Sequence, residues 1–168
     1  MANRQATRIA TACFALALVL RLGILFGTGL YRKIDRTEMA SVAVTFARTG
    51  QIANAYMAMP TGPTAHVAPG YPIVMGLVFR VFGDGRTGET AKQVLACIVS
   101  SARSGLLVFL VLAFGLGEGT ALTAGLLSAV YIGAVETELR GDWEGPFAGD
   151  LLLLLVLLWR LGIKGVQQ

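Results

Sequence analysis

The run IATACFALALVLRLGILFGTGL, Ile9–Leu30, decides the class of this protein. About 22 nearly uninterrupted apolar residues, rising 1.5 Å each as a helix, match a hydrocarbon core about 30 Å thick. Arg4 and Arg8 precede it, as the basic start of a secretory signal would. The run is too long for such a signal, and Tyr31-Arg32-Lys33 follows it in place of a small-residue cleavage site. It reads as a retained transmembrane helix. Lipid offers backbone amides no partner, so they are satisfied inside helices. One charge interrupts the run. Arg21 either snorkels or pairs within a helix bundle, or turns its guanidinium toward a bound carboxylate or phosphate.

The rest of the chain extends this reading. Of 168 residues, 55% are hydrophobic and 14% charged, and mean hydropathy is +0.67. A soluble domain carries about 25% charged residues. Further apolar spans are expected over 94–116, 120–135 and 150–163. The second carries Arg103 with Ser100, Ser101 and Ser104, small polar residues suited to helix–helix contact in membranes. Gly117-Glu118-Gly119 is a tight connection, so spans two and three form an antiparallel hairpin. Trp143, in the following loop, suits an interfacial anchor. The expected fold is all-α: a polytopic membrane helix bundle of about four transmembrane helices, one membrane domain over 1–168.

Between spans one and two lies a long loop, 31–89, with two short juxtamembrane helices expected at 37–48 and 72–82. In the first, Met39, Val42, Ala43 and Phe46 form one apolar stripe at helical spacing. Thr37 or Asp35 caps its start and Gly50 follows its end. Pro72 opens the second, and Gly83-Asp84-Gly85-Arg86 closes it. Pro60–Pro72 holds four of the chain's five prolines and its only histidine, His66.

Net charge is +4 and the isoelectric point about 9.4. The basic residues are scattered without a Lys/Arg-rich run. Lipid headgroups or a phosphate-bearing ligand are the expected partners, and nucleic acid is not. Cys13 and Cys97 lie in apolar stretches and read as small hydrophobes, with no disulfide framework or metal spacing. No phosphate-binding loop, nucleophile elbow or H-E-x-x-H pattern is present, which leaves hydrolase and nucleoside-triphosphatase readings without support. A transporter is disfavoured by the few polar residues within the spans.

Asp35 and Glu38 stand one helical turn apart at the membrane edge. A partly desolvated carboxylate there is placed to act as a general base; equally, the two balance Arg32, Lys33 and Arg36. His66 reads as an exposed hydrogen-bonding residue or a proton donor near a phosphate. Tyr71 reads as an interfacial aromatic or a lipid-ligand contact. Arg32, Arg36, Arg80 and Arg86 meet headgroups or clamp a phosphate.

In chain order these residues are Arg21, Asp35, Glu38, Ala43, Thr49-Gly50, Gly62-Pro63-Thr64-Ala65, Pro69-Gly70-Tyr71-Pro72 and Phe82-Gly83. The stretch from Asp35 to Gly83 resembles the first extracytoplasmic loop of bacterial GT-C glycosyltransferases, which include relatives of dolichyl-phosphate-mannose protein mannosyltransferases and aminoarabinose transferases. The resemblance implies transfer of a sugar from a polyprenyl-phosphate donor to an acceptor hydroxyl, with inversion. It implies that the first-loop acid, Asp35 or Glu38, is the base, and that Arg21, His66, Tyr71 and Arg80 bind substrate. No further cofactor is implied. It also implies an inner-membrane, multi-pass protein with both termini cytoplasmic, an orientation that the arginine distribution leaves open. Such enzymes have more spans than this chain, so it reads as the N-terminal part of one, or as needing a partner membrane chain that supplies the missing helices, or as inactive. The alternatives are a non-catalytic membrane subunit or assembly factor, or an inactive truncated copy.

Overall fold

In the computed structural model, which describes residues 2–34, 37–56, 59–140 and 144–166, helix α1 covers Ala2–Gly27. A 3-10 turn, Leu30–Arg32, follows. Then come α2 (Glu38–Thr49), α3 (Gly70–Phe82), α4 (Arg86–Ala113), α5 (Glu118–Val130), α6 (Ile132–Arg140) and α7 (Glu144–Val166). Among the described residues there is no strand, only an isolated bridge between Ala53 and Pro63. Asp35, Arg36 and Trp143 lie outside the described residues.

The chain divides into two compact units: Met1–Gly27 with Ala96–Gln168, and Thr28–Leu95. The second unit arises because the long loop folds on itself and builds its own helix pair, α2 on α3.

In the first unit, α1 buries Ala10, Cys13, Ala17, Arg21 and Leu25, a stripe recurring every three or four residues. On α5 the buried positions are Ala121, Gly125 and Ala129, all small and four apart. A side chain on Gly125 would stand 2.7 Å from Cys13 Sγ and 2.8 Å from Val108 Cγ2, so glycine lets α1, α4 and α5 approach closely. Ala10, Cys13, Val108 and Ala121 form one cluster there. The pairs Gln5 with Glu118 and Arg21 with Ala129 show that α5 runs parallel to α1. Ser104 donating to Ser128 at 3.2 Å, together with Val108 beside Gly125, shows that α4 runs antiparallel to α5.

Small and polar side chains face inward, while Val19, Leu127 and Trp159 are each more than 60% exposed. An aqueous fold would cover such residues; lipid would not need it to. Two helices, Arg4–Gly27 and Arg86–Ala113, are long and apolar enough to cross a membrane, and they point to membrane association. The second starts well before the expected residue 94, because Arg86–Gln93 continues the helix with polar residues. The region expected as span three is divided: α5 ends at Val130, Tyr131 leaves the helix with ψ 99, and α6 begins at Ile132. The 13 residues of α5 reach about 20 Å, short of a hydrocarbon core.

That break explains Arg21. The last carbonyls of a helix lack intrahelical partners. Arg21 Nη1 donates to the Ala129 carbonyl at 3.3 Å, in the last turn of α5, and to Ala17 of its own helix at 3.4 Å. A cation at a helix C-terminus also meets the negative end of the dipole. A second buried charge, Asp150 on α7, is ion-paired with Arg103 of α4.

In the second unit, α4 begins against the turn that ends α3. A side chain on Gly88 would overlap the Gly83 carbonyl oxygen, so this corner needs glycine. Glu89 and Lys92, both under 5% exposed, pair at 2.8 Å. Gln93 Nε2 donates to the Leu30 carbonyl at 3.3 Å, which ties the 3-10 turn to α4.

Candidate functional site

The site is built on the start of α2. Thr37 Oγ1 accepts the Ala40 amide at 3.3 Å, so of the two N-cap candidates, Thr37 and Asp35, Thr37 caps α2. The cap sets Glu38 as the first helical residue, where the helix dipole favours a carboxylate. The other end stops at Gly50, φ 76, whose amide bonds the Phe46 carbonyl at 2.8 Å. Helix α3 lies close on α2: a side chain on Gly76 would stand 2.8 Å from the Ala43 carbonyl oxygen and 2.7 Å from Phe46 Cδ1. An exposed ion pair, Arg48 with Asp84, joins the end of α2 to the turn after α3.

The segment between these helices is irregular but held. Asn54 adopts φ 58, the left-handed region that asparagine tolerates better than most residues. Its Oδ1 accepts the amides of Thr61 at 3.1 Å and Gly62 at 3.0 Å. Its own amide bonds the Gly62 carbonyl at 3.0 Å, and the Thr64 amide bonds Ile52 at 3.1 Å. Ser41 of α2 donates to the Asn54 carbonyl at 2.6 Å. Val67 is buried against Val42 and Ala55, which pins the far end of the segment.

With Val67 turned inward, its neighbour His66 turns outward. Its Nε2 lies 2.7 Å from Glu38 Oε2, and both side chains are about half exposed. An ionised carboxylate only accepts, so in this pair the imidazole donates from Nε2 and Nδ1 is the basic nitrogen of the neutral ring. The Tyr56 ring leans on the imidazole, with centroids 5.8 Å apart and planes at 39°. Tyr56 also lines a groove of about 370 Å³ with Ser41, Val44, Thr45, Asn54, Met59 and Pro60. Glu38, Ser41 and Thr45 follow at i, i+3 and i+7, so the carboxylate heads the helix face that forms one wall of the groove. Hydroxyl and amide groups beside an aromatic ring suit a hydroxylated ligand.

The residues predicted from sequence are thus only partly assembled. Glu38 and His66 meet. Asp35 lies outside the described residues. Arg21 belongs to the first unit, where it bonds the carbonyls of Ala17 and Ala129. Tyr71 is 3% exposed, on the packing face of α3. Arg80 is exposed on the same helix. Sequence reading missed Ser41, Asn54 and Tyr56. The signal for Asn54 was its residue type within an irregular segment, but nothing local tells which turn residue takes a positive φ. Among the described residues no group of three or more His, Cys, Asp or Glu is placed to hold a metal ion. No protein-family model, curated protein or solved structure matches the chain.

Proposed function

We propose that this protein is a membrane glycosyltransferase, or the N-terminal part of one, moving a sugar from a polyprenyl-phosphate donor to an acceptor hydroxyl at the extracytoplasmic face. The single observation that carries the reading is the Glu38–His66 pair at 2.7 Å, brought together from an acid at the start of α2 and the proline-rich segment. A carboxylate that orients an imidazole leaves the other ring nitrogen as a base and stabilises the imidazolium that forms. In the proposed step, His66 Nδ1 takes the acceptor's hydroxyl proton. The acceptor oxygen bonds the anomeric carbon, and the bond from that carbon to phosphate breaks. Polyprenyl phosphate leaves with the electron pair, and Glu38 balances the new positive charge. Part of the proposal is a multi-pass inner-membrane protein of about four spans with cytoplasmic termini, working beside a partner chain that completes the donor cavity.

The test is transfer of labelled sugar from polyprenyl phosphate by membranes containing the chain. Glu38→Gln and His66→Gln are each expected to lower transfer by about 100-fold, with the chain still inserted. Unchanged transfer in both variants overturns the assignment. The pair's half-exposed position supports a second reading, a non-catalytic membrane subunit that docks through the α2–α3 unit. Absence of transfer by the wild-type chain in the presence of its partners would favour that reading.

A further inference from the structure

A second cavity in the Thr28–Leu95 unit, of about 840 Å³, is lined by Tyr31, Arg32, Phe82, Arg86, Thr87, Thr90, Ala91 and Val94. We infer that it holds the phosphate of an anionic membrane lipid, separately from the Glu38–His66 pair.

The lining contains two arginines and no carboxylate. Among the described residues the nearby acids are engaged elsewhere: Glu89 with Lys92, and Asp84 with Arg48. Arg32 is held in place, its Nε donating to Tyr31 Oη at 3.0 Å and its guanidinium 5.3 Å from the Tyr31 ring centre. Its terminal N–H groups are left over among the described residues. Arg86 likewise has no side-chain partner among them, and it opens α4. Thr90 Oγ1 donates to the Arg86 carbonyl at 2.9 Å and reaches the Tyr31 carbonyl at 3.4 Å, which links the start of α4 to the residue beside Arg32. Guanidinium groups match phosphate oxygens in a two-pronged geometry that ammonium groups cannot supply.

The rest of the lining is largely apolar. Phe82 is 53% exposed, and Ala91 and Val94 continue its surface along α4. From Val94 onward α4 becomes strongly apolar, within a helix long enough to cross a membrane. The cavity therefore sits at the polar end of such a helix, the depth of lipid headgroups. A cationic half beside an apolar half fits a phosphate still attached to its lipid better than a free ion.

The test is binding by the full chain in a neutral detergent, followed by native mass spectrometry. The probes are dioctanoyl phosphatidylglycerol, dioctanoyl phosphatidylcholine and inorganic phosphate. Phosphatidylglycerol is expected to bind at least about tenfold tighter than phosphatidylcholine. Arg32→Gln and Arg86→Gln each weaken it by about tenfold, with helicity unchanged. Arg8→Gln, in the other unit, leaves it unchanged, and millimolar phosphate does not displace it. Equal affinity for the two lipids, full binding by both arginine variants, or inorganic phosphate binding as tightly as the lipid would each overturn the inference. Sugar transfer does not enter this readout, so its outcome is independent of the Glu38–His66 proposal.

Discussion

Replacing Asn54 tests how the segment carrying His66 is held. Its φ of 58 costs an ordinary L-residue about 1–2 kcal/mol, and a β-branched one sits at the upper end. Its Oδ1 also accepts two amides, from Thr61 and Gly62, each worth about 1 kcal/mol net. Asn54→Val loses both contributions and is expected to ease opening of the segment by about 4 kcal/mol, near 1,000-fold. Asn54→Gly relieves the backbone but loses the acceptor of two amides, for about 2 kcal/mol. Asn54→Asp keeps the acceptor and tolerates the conformation, so it stays close to the wild type. The assay is hydrogen exchange of the Thr64 amide, bonded to the Ile52 carbonyl at 3.1 Å. Exchange should quicken in the order Asp, Gly, Val, and the Glu38–His66 contact should loosen with it. A valine variant exchanging at the wild-type rate would refute the claim that Asn54 organises this segment.

Gly76→Ala gains helix propensity of about 1 kcal/mol, but its side chain would meet the Ala43 carbonyl oxygen at 2.8 Å. A net loss of about 1–2 kcal/mol is expected, read as faster exchange across α2 and α3. Gly23→Ala, with nothing within 4 Å, is the control and should be neutral or stabilising. Arg103→Ala leaves Asp150 buried without its ion-pair partner and should lower thermal stability in detergent by about 3 kcal/mol. The double variant Arg103→Leu, Asp150→Leu should recover part of that loss, and its failure to do so would assign the effect to another contact of Arg103. Gly125→Val, against Cys13 and Val108, should separate α1 from α5 and lower stability by about 2 kcal/mol or more.

Local chemistry made much of the helical content legible. Hydropathy marks α1 and the greater part of α4, because an apolar run of that length has no other way to satisfy its backbone in lipid. Thr37 and Gly50 mark the ends of α2, because capping depends on one residue and its immediate neighbours. The Met39–Phe46 stripe likewise announces a helix with one covered face. What lay beyond the sequence depends on residues far apart in the chain. Nothing local pairs Glu38 with His66, turns Asn54 left-handed or brings two arginines to one cavity, because each needs the fold to set the partner's position. Arg21 is the clearest instance: its charge is plain in the run Ile9–Leu30, but its partner is a carbonyl that becomes available only because α5 stops at Val130. Composition and periodicity determined that the chain is helical and suited to a membrane. Tertiary structure alone decided which polar groups meet, since hydrogen bonds and ion pairs depend on distances that no spacing along the chain encodes.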